Sequence, residues 1–458
     1  MQTSRRRRVA ARLAGYAAAL AVLSGVAFAH SGTLRNAAPE RLAVPTWLFL
    51  ATGGGVVGAS FLLASFVTDR AFIRSVHDQV ARIPAPGTVL AWVGRGVGLA
   101  GLGVVLWLGL AGPASGVRNG AILVVWVAWW AGYTMSTYLL TNSWPVVNPW
   151  RTLAGLLPTL DRTYPDRLGS WPAVVGLLGL VWVEIVSPLA DDPRLLAGVV
   201  AVYTVGTLVG AAAFGDDWFR RVDPVSRVFA LYGRVAPIQR TDDGLAITLP
   251  GAALTTNPLD GVDDVAFVVA LLWGTTYDGL VSTPAWADLT RSVVSAGVPP
   301  HLFYLLALVA GFGGFLGVYL LAARLARRTA PTYVSVRELG RRFAPALLPI
   351  AAGYHLAHFL GYFLALSPAL VSVLLDPLSP VQNPPVLVLP GWFGGLSLAF
   401  VLLGHLLAVW VAHAIAYDLF PGRLQAVRSQ YALTLVMVAY TMTSLWIVSR
   451  PTVAPPYL

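Results

Sequence analysis

Two stretches decide how this chain reads: PIAAGYHLAHFLGYFL (Pro349–Leu364) and LSLAFVLLGHLLAVWVAHAIAYD (Leu396–Asp418). Each belongs to an apolar run long enough to cross a hydrocarbon core about 30 Å thick. Together they carry four of the seven histidines: His355, His358, His405 and His413. An ionisable side chain at that depth is costly unless it faces the bundle interior and finds a partner, so these four mark a site by default. The spacing of His355 and His358, three apart, puts both on one helical face, where two imidazoles can reach a common ion. On the next, antiparallel span His405 sits near mid-membrane and can come level with His358. His413 lies roughly 12 Å further along the helix axis, too far to share a single ion with His405. A hydrogen bond near the membrane face or a relay step is its expected role. Any one of these histidines can equally be satisfied by a backbone carbonyl.

The rest of the chain has the same character. Hydrophobic residues make up 57% and charged ones 11%, and the mean hydropathy is +0.69. Soluble chains carry about 25% charged residues, so the expected fold is all-α, a polytopic integral membrane helix bundle. Ten spans can be laid out, at about 45–67, 88–112, 119–140, 171–190, 195–214, 264–283, 301–323, 344–366, 393–417 and 431–449. Before them, Arg5–Arg8 and Arg12, the apolar Leu13–Phe28 and the small-residue site Ala27-Phe28-Ala29 read as a cleavable signal peptide over 1–29. An external segment, 30–44, comes next.

The net charge of +10 is carried by arginine alone. These bases lie between apolar runs, so they read as topology signals and not as a nucleic-acid surface. Loops 68–87, 141–170, 215–263, 324–343 and 418–430 hold 19 arginines, and the opposite side holds six: Arg35, Arg41, Arg118, Arg194, Arg291 and Arg450. The positive-inside rule then places those five loops in the cytoplasm and both mature ends outside the cell membrane. Within them, Trp144–Arg151 (WPVVNPWR) suits an interfacial or re-entrant segment. The 215–263 loop reads as an interfacial helix near Val225–Val235 with no separate domain. On the outer side, 367–391 with its six prolines is expected to fold back as a cap.

The absence of cysteine removes disulfides, thiolate metal sites and thiol nucleophiles. Phosphate-loop, dinucleotide and nucleophile-elbow motifs are missing from any strand–turn–helix context. Two carboxylates sit at the depth of the histidines: Glu184 in the fourth span and Asp278 in the sixth. A buried carboxylate needs a partner, and a metal-bound imidazole needs an acceptor for its other N–H. One arrangement meets both needs, with Asp278 or Glu184 beside His355, His358 and His405 and an ion between them. Zinc and copper suit such donors, and a single haem between His355 or His358 and His405 is a further option. Asp278 has a plainer reading as an outer helix cap, because Gly279 and Pro284 follow it. Cleavage after Ala29 would expose His30 with a free amine, a copper-chelating pair for which His301 is the natural third nitrogen.

At these positions the chain resembles a family of bacterial and archaeal membrane proteins labelled fenitrothion hydrolase. The likeness runs over nearly the whole mature length. It is carried by Ala29-His30, Pro45–Phe49, Asn148-Pro149-Trp150-Arg151, Thr275–Gly279 with Pro284, Trp286, Asp288 and Leu289, then Ala357-His358, Gly404-His405, Ala412-His413 and Arg428–Tyr431. The resemblance implies hydrolysis of a phosphotriester or related ester. Three functions stand as expectations. The first is a metal-dependent membrane hydrolase with Asp278 and Glu184 as catalytic carboxylates. The second is a metal-ion or proton-coupled transporter, and the third a single-haem membrane protein. The expected partners are the lipid bilayer and a small molecule.

Overall fold

The computed structural model describes residues 46–77, 80–84, 87–160, 162–242 and 244–458. The expected signal peptide, the segment 30–44 and His30 lie outside the described residues. The described chain forms a bundle of apolar helices. Helix α1 (Thr46–Phe66) turns through 117° into α2 (Arg70–His77), which caps the bundle edge. Strand β1 (Ala81–Ile83) leads to α3 (Thr88–Ala111) and then to α4 (Gly120–Leu139). Two short helices, α5 (Trp144–Val147) and α6 (Pro149–Ala154), precede α7 (Trp171–Val186) and α8 (Pro193–Phe214). Helix α9 (Pro224–Gly233) and strands β2 (Ile238–Thr241) and β3 (Gly244–Ile247) come next, followed by α10 (Val262–Val281) and α11 (Pro284–Ser295). The chain ends with α12 (Pro300–Thr329), α13 (Val336–Phe343), α14 (Leu348–Leu375), α15 (Phe393–Leu419), α16 (Arg423–Ser429) and α17 (Tyr431–Val448).

Eight helices in the described residues are long and apolar enough to span a membrane, or nine if α1 and α2 count as one span. The expected ten is one more than the larger count of long helices. Helix α7 is the reason: its 16 residues reach only about 24 Å, short of a full core. Its two ends nevertheless belong to opposite faces of the bundle. At its start the Ser170 hydroxyl donates to Asp264 at 2.8 Å, on the face that carries α9 and the strands. At its end Asp191 packs against Gly116, on the face to which Arg118 belongs.

The loops sort onto two faces. Strands β1, β3 and β2 form one antiparallel sheet in that order, joining loop 68–87 to loop 215–263. Arg221 pairs with Asp166 at 2.7 Å, Arg341 donates to the Leu259 carbonyl at 2.7 Å, and Thr329 donates to the Arg428 carbonyl at 2.8 Å. Arg70 adds bonds to the carbonyls of Tyr417, Phe420 and Pro421, closing the C-terminus of α15. All five arginine-rich loops thus share one face. On the other, Arg118 donates to the Pro380 carbonyl and the Val453 N–H to that of Ser282. In the proline-rich 367–391 segment, Leu387 N–H donates to the Ala365 carbonyl at 2.9 Å and Leu389 is buried. Helix α14 runs past the expected end at 366, carrying Pro368 inside it.

Helices α14 and α15 form the centre, and glycine decides how they meet. A Cβ on Gly353 would lie 2.7 Å from the Phe400 carbonyl oxygen, and one on Gly404 would lie 2.5 Å from that of Pro349. The two backbones are in direct contact there, as small residues permit in membrane bundles. Turning by about 100° per residue, His355 and His358 come out about 200° and 140° round from Gly353. Both histidines of α14 therefore face away from α15. That single crossing controls which groups meet.

Candidate functional site

The face of α14 opposite the crossing lines a cavity of about 400 Å³. His355, His358 and Tyr354 enter it from α14, Asp278 and Thr275 from α10, and Glu184 from α7. The cavity thus gathers two of the expected histidines and both expected carboxylates. His358 Nε2 lies 3.9 Å from Asp278 Oδ2, with the side chains 20% and 19% exposed. The imidazole is stacked on the Tyr354 ring, whose centroid is 6.2 Å away at an interplanar angle of 10°. His355 is fixed differently. Its Nδ1 is 3.0 Å from the Tyr138 hydroxyl, its ring stands edge-on to Trp130, and its Nε2 has no hydrogen-bond partner among the described residues. The buried Tyr354 hydroxyl is also without one, as is Trp126 Nε1. Three buried polar atoms of cavity-lining residues therefore lack a partner among the described residues, a situation rare in native interiors.

Most of the lining is apolar and aromatic. Trp126, Trp129, Trp130 and Tyr133 all come from a π-helical stretch of α4, Val124–Tyr133. Such widened turns are rare and recur at functional sites. The run VVWVAWWAGY carries no periodicity that distinguishes it from an ordinary apolar helix, so sequence reasoning missed it. Tyr354 and Trp126 were missed for the same reason, since aromatic residues read first as membrane-interface belt.

The WPVVNPWR segment floors the cavity as α5 and α6, broken at Asn148-Pro149. Gly98 of α3 admits it: a Cβ there would overlap the Val147 carbonyl oxygen. Asn148 caps α6 by accepting from Arg151 N–H at 3.0 Å, and its amide donates to Ser226 Oγ at 3.1 Å. Trp144 Nε1 donates to the same oxygen at 3.2 Å, and Ser226 donates onward to Asp223. Asp223 also accepts from the Tyr203 hydroxyl and from backbone N–H groups of α9. Burial pushes the Asp223 carboxyl up, while the Ser226 and Tyr203 hydroxyls pull it down. This buried network ties α5 and α6 to α9 and so holds the floor of the cavity in place.

Several expected partners do not meet. His405 is fully buried but does not line the cavity; its Nδ1 bonds the Val401 carbonyl one turn back at 2.8 Å. The expected ion between His358, His405 and a carboxylate therefore finds no matching cluster. Among the described residues no three His, Asp or Glu side chains converge to hold a metal. The Gly353–Gly404 crossing is the physical reason, because it turns His358 away from α15. His413 makes a hydrogen bond of the expected kind, with Nε2 2.9 Å from the Val67 carbonyl. His301 stands exposed at the start of α12, and its expected partner His30 lies outside the described residues. Asp278 is not the helix cap: α10 continues to Val281, and Thr283 caps α11 through Trp286 N–H at 3.3 Å. No protein family, no curated protein and no solved structure matches this chain.

Proposed function

We propose that the chain is a membrane-embedded hydrolase for a lipophilic, neutral ester, a phosphotriester being the class that its sequence resemblance implies. The observation that carries this reading is the His358–Asp278 pair lining an apolar, aromatic cavity. A volume of about 400 Å³ suits a drug-sized molecule, and a few polar groups in an aromatic lining suit one that arrives through lipid. In the proposed reaction His358 takes a proton from a water as it attacks the phosphorus or carbonyl carbon, and Asp278 supports the imidazolium that forms. The imidazolium returns that proton to the leaving oxygen as its ester bond breaks, giving the acid and the alcohol. Zinc or copper held by His355, His358, His405 and a carboxylate is the sequence expectation. The donor set does not fit that site, so the chemistry is assigned to the chain's own groups.

Glu184, a second carboxylate on the same wall, favours a second reading, proton-coupled transport of a small solute. Proteoliposomes loaded with the purified chain separate the two. The hydrolase reading expects acid and alcohol products from a lipophilic phosphotriester. Accumulation of an unchanged solute, driven by a proton gradient and with no product formed, overturns it in favour of transport.

We also infer that the arginine-rich face is cytoplasmic, on the count of 19 arginines against six. A reporter inserted beside Asp242 is then expected to read as cytoplasmic, and one fused after Leu458 as extracytoplasmic. The reverse pattern would invert the orientation.

A further inference from the structure

At the arginine-rich face, the end of α12 and the start of α16 enclose a shallow recess. Two hydrogen bonds staple its walls: Thr329 Oγ1 to the Arg428 carbonyl at 2.8 Å, and Gln425 Nε2 to the Pro331 carbonyl at 2.5 Å. Arg423 and Arg428 both line it, and no carboxylate does. Neither arginine is in an ion pair among the described residues; Asp418, the carboxylate nearest in sequence, is held by Arg74 at 3.5 Å. Helix electrostatics account for part of the surrounding charge. Arg327 and Arg328 end α12, where cations are favoured. Arg423 begins α16, the end at which a cation is disfavoured, so no helix preference explains it. Beside the arginines the recess turns apolar. Leu424 lines it while 69% exposed, and α17 leaves it with Leu435 70% exposed. A cationic recess bordered by lipid-facing leucines is the chemistry of a phosphate at the bilayer surface with acyl chains beneath it.

We propose that Arg423 and Arg428 hold the phosphate of an anionic phospholipid, with Leu424 against the upper part of its acyl chains. The site is separate from the cavity and does not depend on which side of the membrane this face occupies. A protein partner is disfavoured because the exposed leucines continue onto the lipid-facing side of α17. The phosphodiester gains charge-assisted bonds from two arginines on one short helix, which Thr329 and Gln425 tie to the end of α12.

The test is the thermal unfolding midpoint of the delipidated full chain in detergent. It is titrated in turn with phosphatidylglycerol, phosphatidylcholine and inorganic phosphate. Phosphatidylglycerol is expected to raise the midpoint, and the other two to leave it nearly unchanged. Arg423→Gln and Arg428→Gln are each expected to weaken phosphatidylglycerol binding about fivefold. Arg423→Lys should retain most of it. Arg291→Gln, on the opposite face, should behave as the parent chain. An equal rise with phosphatidylcholine overturns the proposal, because the charge is then irrelevant. A full rise with inorganic phosphate overturns the lipid assignment in favour of a soluble anion. An unchanged response in both Gln variants overturns the site itself. Should the Gln variants unfold, native mass spectrometry of Arg423→Lys and the parent takes their place. Phosphatidylglycerol carried by both, in preference to phosphatidylcholine, supports the site, and no such preference in either overturns it.

Discussion

His358→Gln is expected to lower kcat for a lipophilic phosphotriester by at least about 100-fold, with folding and expression close to the parent chain. A positioned general base contributes roughly 100- to 10,000-fold, and glutamine keeps hydrogen-bonding capacity without basicity. Asp278→Asn is expected to fall in the same direction, because the 3.9 Å partner of the imidazole loses its charge. Tyr354→Phe removes one hydroxyl that bonds no protein group among the described residues, so it leaves no partner stranded. That hydroxyl is sealed against Gly279 and Ile447, so turnover of Tyr354→Phe should stay close to the parent chain. His405→Gln is the informative control. Its imidazole bonds Val401 on its own helix and lies off the cavity, so turnover per folded molecule should be retained. Turnover is measured on monodisperse protein in nanodiscs. Equal losses in His358→Gln and His405→Gln would show that the reacting groups are not those of the cavity.

That contrast also marks where the sequence stops being legible. The helices are readable because a span needs about 20 apolar residues, and few other structures produce such runs. The arginines sort the loops onto one face, and the structure brings those same loops into contact through the β1–β3–β2 sheet and the Arg341–Leu259 bond. Intramembrane His355, His358, Asp278 and Glu184 are readable as a site because lipid makes unexplained charge expensive. What sequence could not supply is azimuth. Pairing His358 with His405 assumes that adjacent antiparallel helices present their polar groups to each other. In fact they meet through Gly353 and Gly404, residues with no side chain to signal the contact. Only after that crossing is fixed does helical geometry turn the histidines towards α10 and α7. The π-helical stretch is hidden for a related reason. Its register depends on how Trp129, Trp144 and Phe229 pack, with Trp144 and Phe229 ring centroids 4.6 Å apart, and not on local composition.

The largest stability effect is expected at Arg227, which no motif singled out. Its Nη2 lies 2.5 Å from Asp264 Oδ1, and the two side chains are only 12% and 10% exposed. The guanidinium also lies over the Phe267 ring at 5.2 Å and donates to the Arg220 carbonyl. Asp264 accepts in addition from the Ser170 hydroxyl and from Asp260 N–H. Three elements therefore meet at one buried pair: α9, the first turn of α10 and the residue preceding α7. Arg227→Met keeps much of the stem packing but leaves Asp264 buried without its cation. Breaking a buried pair in this way costs about 3–5 kcal/mol. Asp264→Leu strands Arg227 and should cost a similar amount. The double variant Arg227→Met/Asp264→Leu strands neither charge, so it should be more stable than either single variant despite carrying both changes. Thermal unfolding of the four proteins in one detergent completes the cycle. A double variant that loses the full sum of the single losses would mean the pair is uncoupled. In that case the junction of α7, α9 and α10 is held by apolar packing around Phe267 instead.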